Sequence, residues 1–320
     1  MTATPFVTRH RIGVDENGLG ARLGPLVVTG VMAEVDERGT RTLSRKLPKA
    51  LRETLDDSKR LLSHEDVRLG EAWARVLTGE RATNPAELFE ALSLEGSDEL
   101  KKPCPQKVSA QCWSAEREEF QAEAELVARV RKHRAMLEER GVRLTTARSS
   151  VVCTERLNHA RRAGKNRFVS DLHAMENVVL GLRREAAADV KAVCGKVGGM
   201  GEYSRFFGPL GGFLHVVLEQ GKARSAYRFP GLGELVFERD ADAADALVML
   251  ASLVGKYVRE LFMHRIASHY PRGPEAPRPS GYHDPVTDEF VIDTSRLRRK
   301  RAVPDRCFER DRDPPGTPAA

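Results

Sequence analysis

Two adjacent carboxylates, Asp15 and Glu16, lie where an apolar segment meets a glycine-rich turn in HRIGVDENGLGARLGPLVV. Adjacent residues of a regular strand point to opposite faces of a sheet, so both side chains can serve one site only if the strand ends or bends there. Gly18 and Gly20 allow such a bend because glycine tolerates backbone conformations that other residues avoid. Paired carboxylates in this position could bind a metal ion. The alternative is a solvated bend without a chemical role.

Further polar motifs lie at long intervals along the chain. LDDSKRLLS contains Asp57-Ser58-Lys59 before a helical stretch, and ERDADAADALVMLASLVGKYVRE places several aspartates ahead of an apolar helix. The segment SGYHDPVTDEF contains Tyr282 in a glycine turn. Taken singly, these features are typical of turns and of helix N-termini, where the helix dipole favours carboxylates.

Together, these segments resemble the motifs of the type 2 ribonucleases H, the ribonuclease HII family. The first motif of that family has an Asp-Glu pair, a Gly-Arg-Gly turn and a later Gly-Pro that opens the next strand, matched here by Gly24 and Pro25. The other segments resemble the family's Asp-Ser-Lys motif, its Ala-Ala-Ser-Ile-Leu-Ala-Lys helix and its Ser-Gly-Tyr turn. The matches run from Gly13 to about Phe290. The resemblance implies an α/β fold, a ribonuclease H-like mixed sheet flanked by helices, with a helical insertion and a helical C-terminal part.

The resemblance also implies metal-dependent endonucleolytic hydrolysis of RNA in RNA/DNA hybrids. Counting back without gaps from Ala251, Ser252, Lys256 and Arg259 puts the family's last catalytic aspartate at Asp242, and a small shift would substitute Asp240 or Asp245. Such hydrolysis uses two divalent ions roughly 3.5 to 4 Å apart, and Mg²⁺ or Mn²⁺ prefers oxygen ligands. The implied catalytic residues and metal ligands are Asp15, Glu16 and Asp242.

Recognition of a hybrid requires groups that sense the 2′-hydroxyl of the RNA strand. The backbone amides of a tight glycine turn and a tyrosine beside the ribose can do so. The substrate-binding residues implied by the resemblance are Gly18, Gly20, Ser58, Lys59 and Tyr282.

Two positions depart from the family pattern. VKAVCGKVGG offers Cys194 where the family has a further aspartate at the end of a strand, and a thiol is a soft, usually protonated group that binds Mg²⁺ poorly. Asp189, five positions earlier, is expected at a helix-to-strand junction and is not taken as its substitute. Leu19 occupies the place of the turn arginine, and Arg22 is the nearest guanidinium that could reach a phosphate instead.

These departures leave other functions open. One is a ribonuclease H-like nucleic-acid-binding protein in which cleavage is impaired, which Cys194 and Leu19 favour. Another is a nuclease with a changed substrate, for which the insertion at about residues 80–150 is the natural place to look. The intact Asp15-Glu16 pair and Asp57-Ser58-Lys59 favour the hybrid-cleaving enzyme.

The elements that must position these residues follow an α/β pattern. A hairpin is predicted across the glycine turn, a helix from Asp171 and a strand at VKAVCG, and a second buried helix follows Asp242. The helix from Asp171 carries an apolar stripe formed by Leu172, Met175, Val179 and Leu182. Residues 1–295 are expected to form one domain, and 296–320 a basic, proline-rich, disordered tail. The cluster from Arg296 to Arg301 is either solvated or contacts phosphates.

Composition excludes several classes of protein. Of the 320 residues, 41% are hydrophobic, which suffices for a core, and no apolar run is long enough to span a membrane. The net charge of +6 suits a polyanionic partner, and an odd number of cysteines at irregular spacing predicts a reducing, cytoplasmic location. A zinc site formed by Cys104 and Cys112 with Cys153 or His159 is an alternative, but the spacing fits no common zinc motif.

Overall fold

The computed structural model describes residues 9–105, 108–115, 118–273 and 275–311. Within these residues a seven-stranded mixed sheet forms the centre of the molecule. Its strands are β1 (His10–Asn17), β2 (Leu26–Val35), β3 (Val142–Val152), β4 (Val190–Gly195), β5 (Val216–Gln220), β6 (Arg224–Phe229) and β7 (Gly233–Glu238). Their order across the sheet is β3-β2-β1-β4-β7-β6-β5.

Fifteen α-helices occur in the described part of the chain, together with a short 3-10 helix at Ser204–Phe206. The helices are α1 (Glu37–Leu43), α2 (Lys49–Arg52), α3 (Ser58–Leu61), α4 (Arg68–Leu77), α5 (Pro85–Leu92), α6 (Ser97–Lys101), α7 (Ala110–Trp113), α8 (Ala124–Glu138), α9 (Thr154–Arg162), α10 (Arg167–Ala186), α11 (Ala241–Ala244), α12 (Ala246–His269), α13 (Pro285–Asp293), α14 (Ser295–Lys300) and α15 (Asp305–Phe308). None of these helices is both long enough and apolar enough to span a membrane.

The two faces of the sheet are covered by different helices. On one face, here called the α10 face, Val14 of β1 packs in a core with Leu172 and Met175 of α10. On the other, the α12 face, a Cβ atom on Gly13 would lie 2.3 Å from the backbone of Leu247, so α12 rests directly on β1. Because β1 is central, its alternate residues are buried on opposite sides.

The mixed sheet flanked by helices confirms the predicted fold class. The predicted hairpin is formed by β1 and β2, which pair antiparallel, while β1 and β4 pair parallel with Val14 opposite Cys194. The helix predicted from Asp171 is α10, and the apolar helix after Asp242 is α12, most of whose residues are buried.

Two segments differ from the expectation. The region at about 80–150 contains helices α5 to α8, but residues 142–152 form β3, because this β-branched segment pairs along the whole of β2. Residues 295–308 form α14 and α15 instead of a disordered tail, since Phe308 is buried against Phe290 and Tyr270. Residues 312–320 lie outside the described residues.

Candidate active site

A cleft of about 520 Å³ opens at the carboxyl end of β1. Its lining combines the end of β1 and the following turn with α3, α11, α12 and the loop before α13. The residues proposed from the sequence that line it are Asp15, Glu16, Gly18, Gly20, Ser58, Lys59, Asp242 and Tyr282. The fold therefore brings together residues that are more than two hundred positions apart.

Asp15 lies on the α12 face and is almost fully buried. Its carboxylate accepts a hydrogen bond from the hydroxyl of Ser252, whose Oγ is in turn 2.9 Å from Oγ of Ser58. Burial, together with the charge of the nearby Asp242, raises the pKa of Asp15 to about 7, while the bond from Ser252 and the charge of Lys59 act in the opposite direction. The Ser58 hydroxyl thus supports Asp15 through Ser252.

Glu16 follows Asp15 at the end of β1, and the two carboxylates converge on one point. A Cβ atom built on Gly195 would be 3.1 Å from Oδ1 of Asp15 and 3.5 Å from Oε2 of Glu16. The absent side chain of Gly195 therefore leaves a gap that is flanked by both carboxylates. Burial raises the pKa of Glu16 well above its ordinary value, and the charges of Asp15 and Asp171 add to that effect.

Asp242 is the one of the three candidate aspartates before α12 that lines the cleft. It lies in α11, and its Oδ2 is 3.3 Å from Nζ of Lys59, whose pKa it raises. Asp245 has a different role, because it caps α12 by accepting a hydrogen bond of 2.8 Å from the backbone of Leu247. Asp240 precedes α11 with a φ of 56°.

The glycine turn after β1 lies against Arg259. Gly18 has a φ of 87°, and a Cβ atom there would be 2.6 Å from Nε of Arg259, so the position requires glycine on both counts. Arg259 is buried, donates to the backbone carbonyl of Ser280 at 3.0 Å and lies 4.5 Å from the centre of the Tyr282 ring. The ring of Tyr282 is 42% exposed and is thus presented to the cleft.

Arg310 holds the same turn from the C-terminal segment. Its guanidinium donates to the backbone carbonyls of Gly18 and Gly24, the latter at 2.8 Å, and its backbone amide donates to the carbonyl of Arg22. Burial lowers the pKa of Arg310 to about 9. Sequence reasoning missed this residue, because nothing in the local pattern around position 310 relates it to the first turn.

Arg22 does not line the cleft in the way expected of a substitute for the turn arginine. Its guanidinium is paired with two carboxylates, Glu309 at 2.7 Å and Asp288. In the C-terminal basic cluster Arg298 is buried, with its guanidinium 3.8 Å from the centre of the Phe308 ring. Arg296, Arg299 and Lys300 are exposed, so only part of that cluster is accessible to a phosphate.

Cys194 differs from its expected placement. It is fully buried, packs in the core of the α10 face and is aligned with Val14 across the parallel β1 and β4 pair. Side chains opposite each other in a parallel pair point to the same face, so Cys194 points away from Asp15. The position beside Asp15 is Gly195. Cys194 lies at the end of β4, but the pleat of this strand places its thiol on the other side of the sheet from Asp15.

Asp171 is a carboxylate that sequence reasoning used only as the start of a helix. It is fully buried in α10, and neither of its oxygens has a hydrogen-bond partner among the described residues. Burial raises its pKa well above the ordinary value, and the charge of Asp15 contributes. The available signal was its spacing, since Asp171 precedes Met175 by one helical turn and so lies on the apolar stripe.

No three histidine, cysteine, aspartate or glutamate side chains of the described residues are grouped closely enough to hold a metal ion as they stand. The donor chemistry of the cleft nevertheless fits a hard divalent cation. Asp15 and Glu16 offer carboxylate oxygens on either side of the Gly195 gap. Burial, with a smaller contribution from neighbouring negative charge, raises their pKa values, and a bound cation would offset both effects.

The cysteines considered for zinc surround a different, apolar cavity of about 30 Å³. Cys104, Cys112 and Cys153 line it together with Cys307, whereas His159 is not among its lining residues. Burial raises the pKa of Cys112 to about 12, which opposes the thiolate form that zinc requires.

No protein-family model and no curated protein matches the sequence. The fold is similar to those of solved ribonucleases HII and HIII. Ribonuclease HII of Archaeoglobus fulgidus, solved in a complex with PCNA, is 20% identical, with a TM-score of 0.48 and 94% of each chain covered. Ribonuclease H2 of Pyrococcus horikoshii OT3 is 16% identical, with a TM-score of 0.45 over 93% of this chain and 92% of its own. Bst-RNase HIII, solved with Mn²⁺, is 12% identical, with a TM-score of 0.44 over 94% of this chain and 65% of its own.

Proposed function

We propose that this chain is a divalent-metal-dependent endonuclease that hydrolyses the RNA strand of RNA/DNA hybrids. The observation that carries the proposal is the cleft at the end of β1. Asp15, Glu16 and Asp242, which come from two distant segments, line it together with Ser58, Lys59 and Tyr282. Polar groups that converge on one cleft and have perturbed pKa values are the usual mark of an active site.

Asp15, Glu16 and Asp242 would hold Mg²⁺ or Mn²⁺. The bound ions would supply an activated water and stabilise the leaving oxygen of the phosphodiester. Ser252 orients the Asp15 carboxylate by a hydrogen bond, and Ser58 orients Ser252. Lys59 neutralises Asp242 and, because its side chain is 78% exposed, is available to a phosphate of the substrate.

The turn and Tyr282 would recognise the hybrid. Arg259 packs against the backbone of the turn at Gly18, and Arg310 donates a hydrogen bond to it. These contacts fix the orientation of the backbone amides of the turn. Gly20 has open space around it, which allows a substrate backbone to approach closely. The Tyr282 ring, supported by the Arg259 guanidinium, offers a flat surface beside which a ribose and its 2′-hydroxyl can lie.

The test is cleavage by the purified chain of three labelled substrates: a hybrid duplex, an RNA duplex and a DNA duplex with one ribonucleotide. Each is assayed with Mg²⁺, with Mn²⁺ and with a chelator. We expect metal-dependent cleavage of the hybrid, and a loss of about 10²-fold or more in Asp15→Asn because a central charge is removed. Asp98→Asn, which changes a fully exposed carboxylate away from the cleft, is the matched control.

A second candidate function is hybrid binding with impaired cleavage, which the absence of a carboxylate beside Asp15 at the end of β4, where Gly195 lies, and the leucine at position 19 favour. In that case the chain would bind the hybrid with a clear salt dependence, since phosphate contacts release counterions. Neither metal would then produce cleavage. Cleavage of the RNA duplex in preference to the hybrid would point instead to a nuclease with a changed substrate.

A further inference from the structure

The buried position of Asp171 is energetically unfavourable for a carboxylate. It is fully buried in α10, its neighbours on the helix face are Leu172 and Met175, and neither oxygen has a partner in the described part of the chain. A carboxylate without hydrogen bonds in a core is strongly unfavourable, so a position that served packing alone would carry an apolar residue. Its retention calls for a partner that the folded chain itself does not supply.

The surroundings of Asp171 indicate what that partner is. The carboxylate is close enough to Asp15 and Glu16 for their charges to act on one another. Asp171 approaches from the α10 face, the side on which Cys194 also lies. Asp15 approaches from the α12 face, and the Gly195 gap lies between the strand ends. Like charges gathered in this way are stabilised only by protons or by a cation.

We propose that Asp171 supplies the oxygen ligand that the end of β4 lacks, since Gly195 has no side chain and Cys194 points away, so that a divalent cation at the end of β1 is held by Asp15, Glu16 and Asp171. This inference rests on the proposed metal-dependent function and adds a residue to its site. The third carboxylate then comes from α10 and not from the end of β4, and the metal-free fold is less stable because Asp171 is buried.

The test measures metal binding and stability, not cleavage. Mn²⁺ is titrated into the full chain and followed by calorimetry and by the electron paramagnetic resonance signal of free Mn²⁺. Thermal unfolding is recorded with chelator and with Mn²⁺. The variants are Asp171→Asn, Asp171→Leu of similar volume, Asp171→Glu and the control Asp98→Asn.

We expect Asp171→Asn and Asp171→Leu to weaken Mn²⁺ binding at least ~10-fold. In chelator Asp171→Leu should unfold at a higher temperature than the unmodified chain, because an apolar side chain replaces the unpaired carboxylate. Asp171→Glu should recover part of the affinity, and Asp98→Asn should change neither quantity. If Asp171 served only to stabilise the fold, replacing it would lower the unfolding temperature in chelator.

Undiminished Mn²⁺ affinity in Asp171→Asn and Asp171→Leu, with binding retained in the unmodified chain, would overturn this inference alone. Should Asp171→Asn not fold, Asp171→Leu and Asp171→Glu decide the question by the same titration. If the unmodified chain binds no Mn²⁺ and cleaves no substrate, the proposed function fails, and this inference fails with it.

Discussion

The two faces of the sheet differ sharply where β1 ends. On the α12 face the polar groups are compensated: Ser252 donates to Asp15, Ser58 supports Ser252, and Lys59 pairs with Asp242 at 3.3 Å. On the α10 face Asp171 has no partner in the described structure, and Cys194 lies beside it in an apolar core. Both faces contact the same pair of carboxylates, Asp15 and Glu16.

The difference shows two ways in which a fold can keep an acidic site. On the α12 face, the hydroxyls of Ser252 and Ser58 and the ammonium group of Lys59 hold the carboxylates of Asp15 and Asp242 in place at the cleft. The other leaves a carboxylate uncompensated, which raises its pKa and lowers stability until a cation or a proton arrives. Substitutions of polar groups should therefore lower stability on the α12 face, whereas removal of the Asp171 carboxylate on the α10 face should raise it.

The largest effect is expected for Cys194→Asp. Sequence comparison alone suggests that this change restores a metal ligand and raises cleavage. The structure puts the side chain in the core next to Asp171, so we expect a loss of about 3 to 5 kcal/mol in the free energy of unfolding, measured with denaturant in the presence of chelator. Cys194→Ala, which adds no charge, is the control. Full stability together with faster cleavage would show that position 194 reaches the cleft.

A smaller effect is expected for Arg310→Met, which tests whether the turn between the two faces depends on the C-terminal segment. The change removes the guanidinium hydrogen bonds to the carbonyls of Gly18 and Gly24. These carbonyls would keep only the bonds from the Ala21 amide and the Thr154 hydroxyl. We expect a loss of about 2 kcal/mol in stability. Hybrid affinity should fall as well, because the turn amides lose their fixed direction. Arg306→Met, at an exposed site in the same segment, should leave both unchanged.

A gradual effect, smaller per pH unit than either loss described above, is expected in the pH dependence of stability without metal. Folding raises the pKa of Asp15 from 3.8 to about 7, so over this range the folded chain keeps a proton that the unfolded chain releases. This proton contributes fully to the free energy of unfolding below pH 3.8. Its contribution is lost as the pH rises to about 7, and the free energy of unfolding then falls by at most about 1.4 kcal/mol per pH unit.

Denaturation curves between pH 4 and 8 in chelator measure this slope. It should be less steep in Asp171→Asn, because one raised carboxyl is removed, and unchanged in Asp98→Asn. Burial lowers the pKa of histidines such as His133 and His264, which makes stability rise with pH, so the contribution of Asp171 is read from the difference between the two slopes. Equal slopes in the unmodified chain and Asp171→Asn would show that Asp171 does not take part.

The sequence by itself determined the local features of the site. Asp15 and Glu16 precede a turn in which Gly18 needs a positive φ, and the β-branched segment after Pro25 specifies the second strand of the hairpin. The apolar stripe after Asp171 specified α10, and the predicted segment after Asp242 is the buried helix α12. These features follow from periodicity and backbone preference, which act within a few residues.

Only the tertiary structure decided which elements meet. Cys194 could be assigned to a strand end, but its face depends on the register of β4 against β1. Arg310 was assigned to a tail, because its hydrogen bonds to the first turn join residues nearly three hundred positions apart. The spacing of Asp171 put it on a buried face, but whether the described residues offer its oxygens a hydrogen-bond partner depends on what α10 packs against. Periodicity gives a residue's side of its own element, whereas the neighbour on that side is set by the packing of the whole chain.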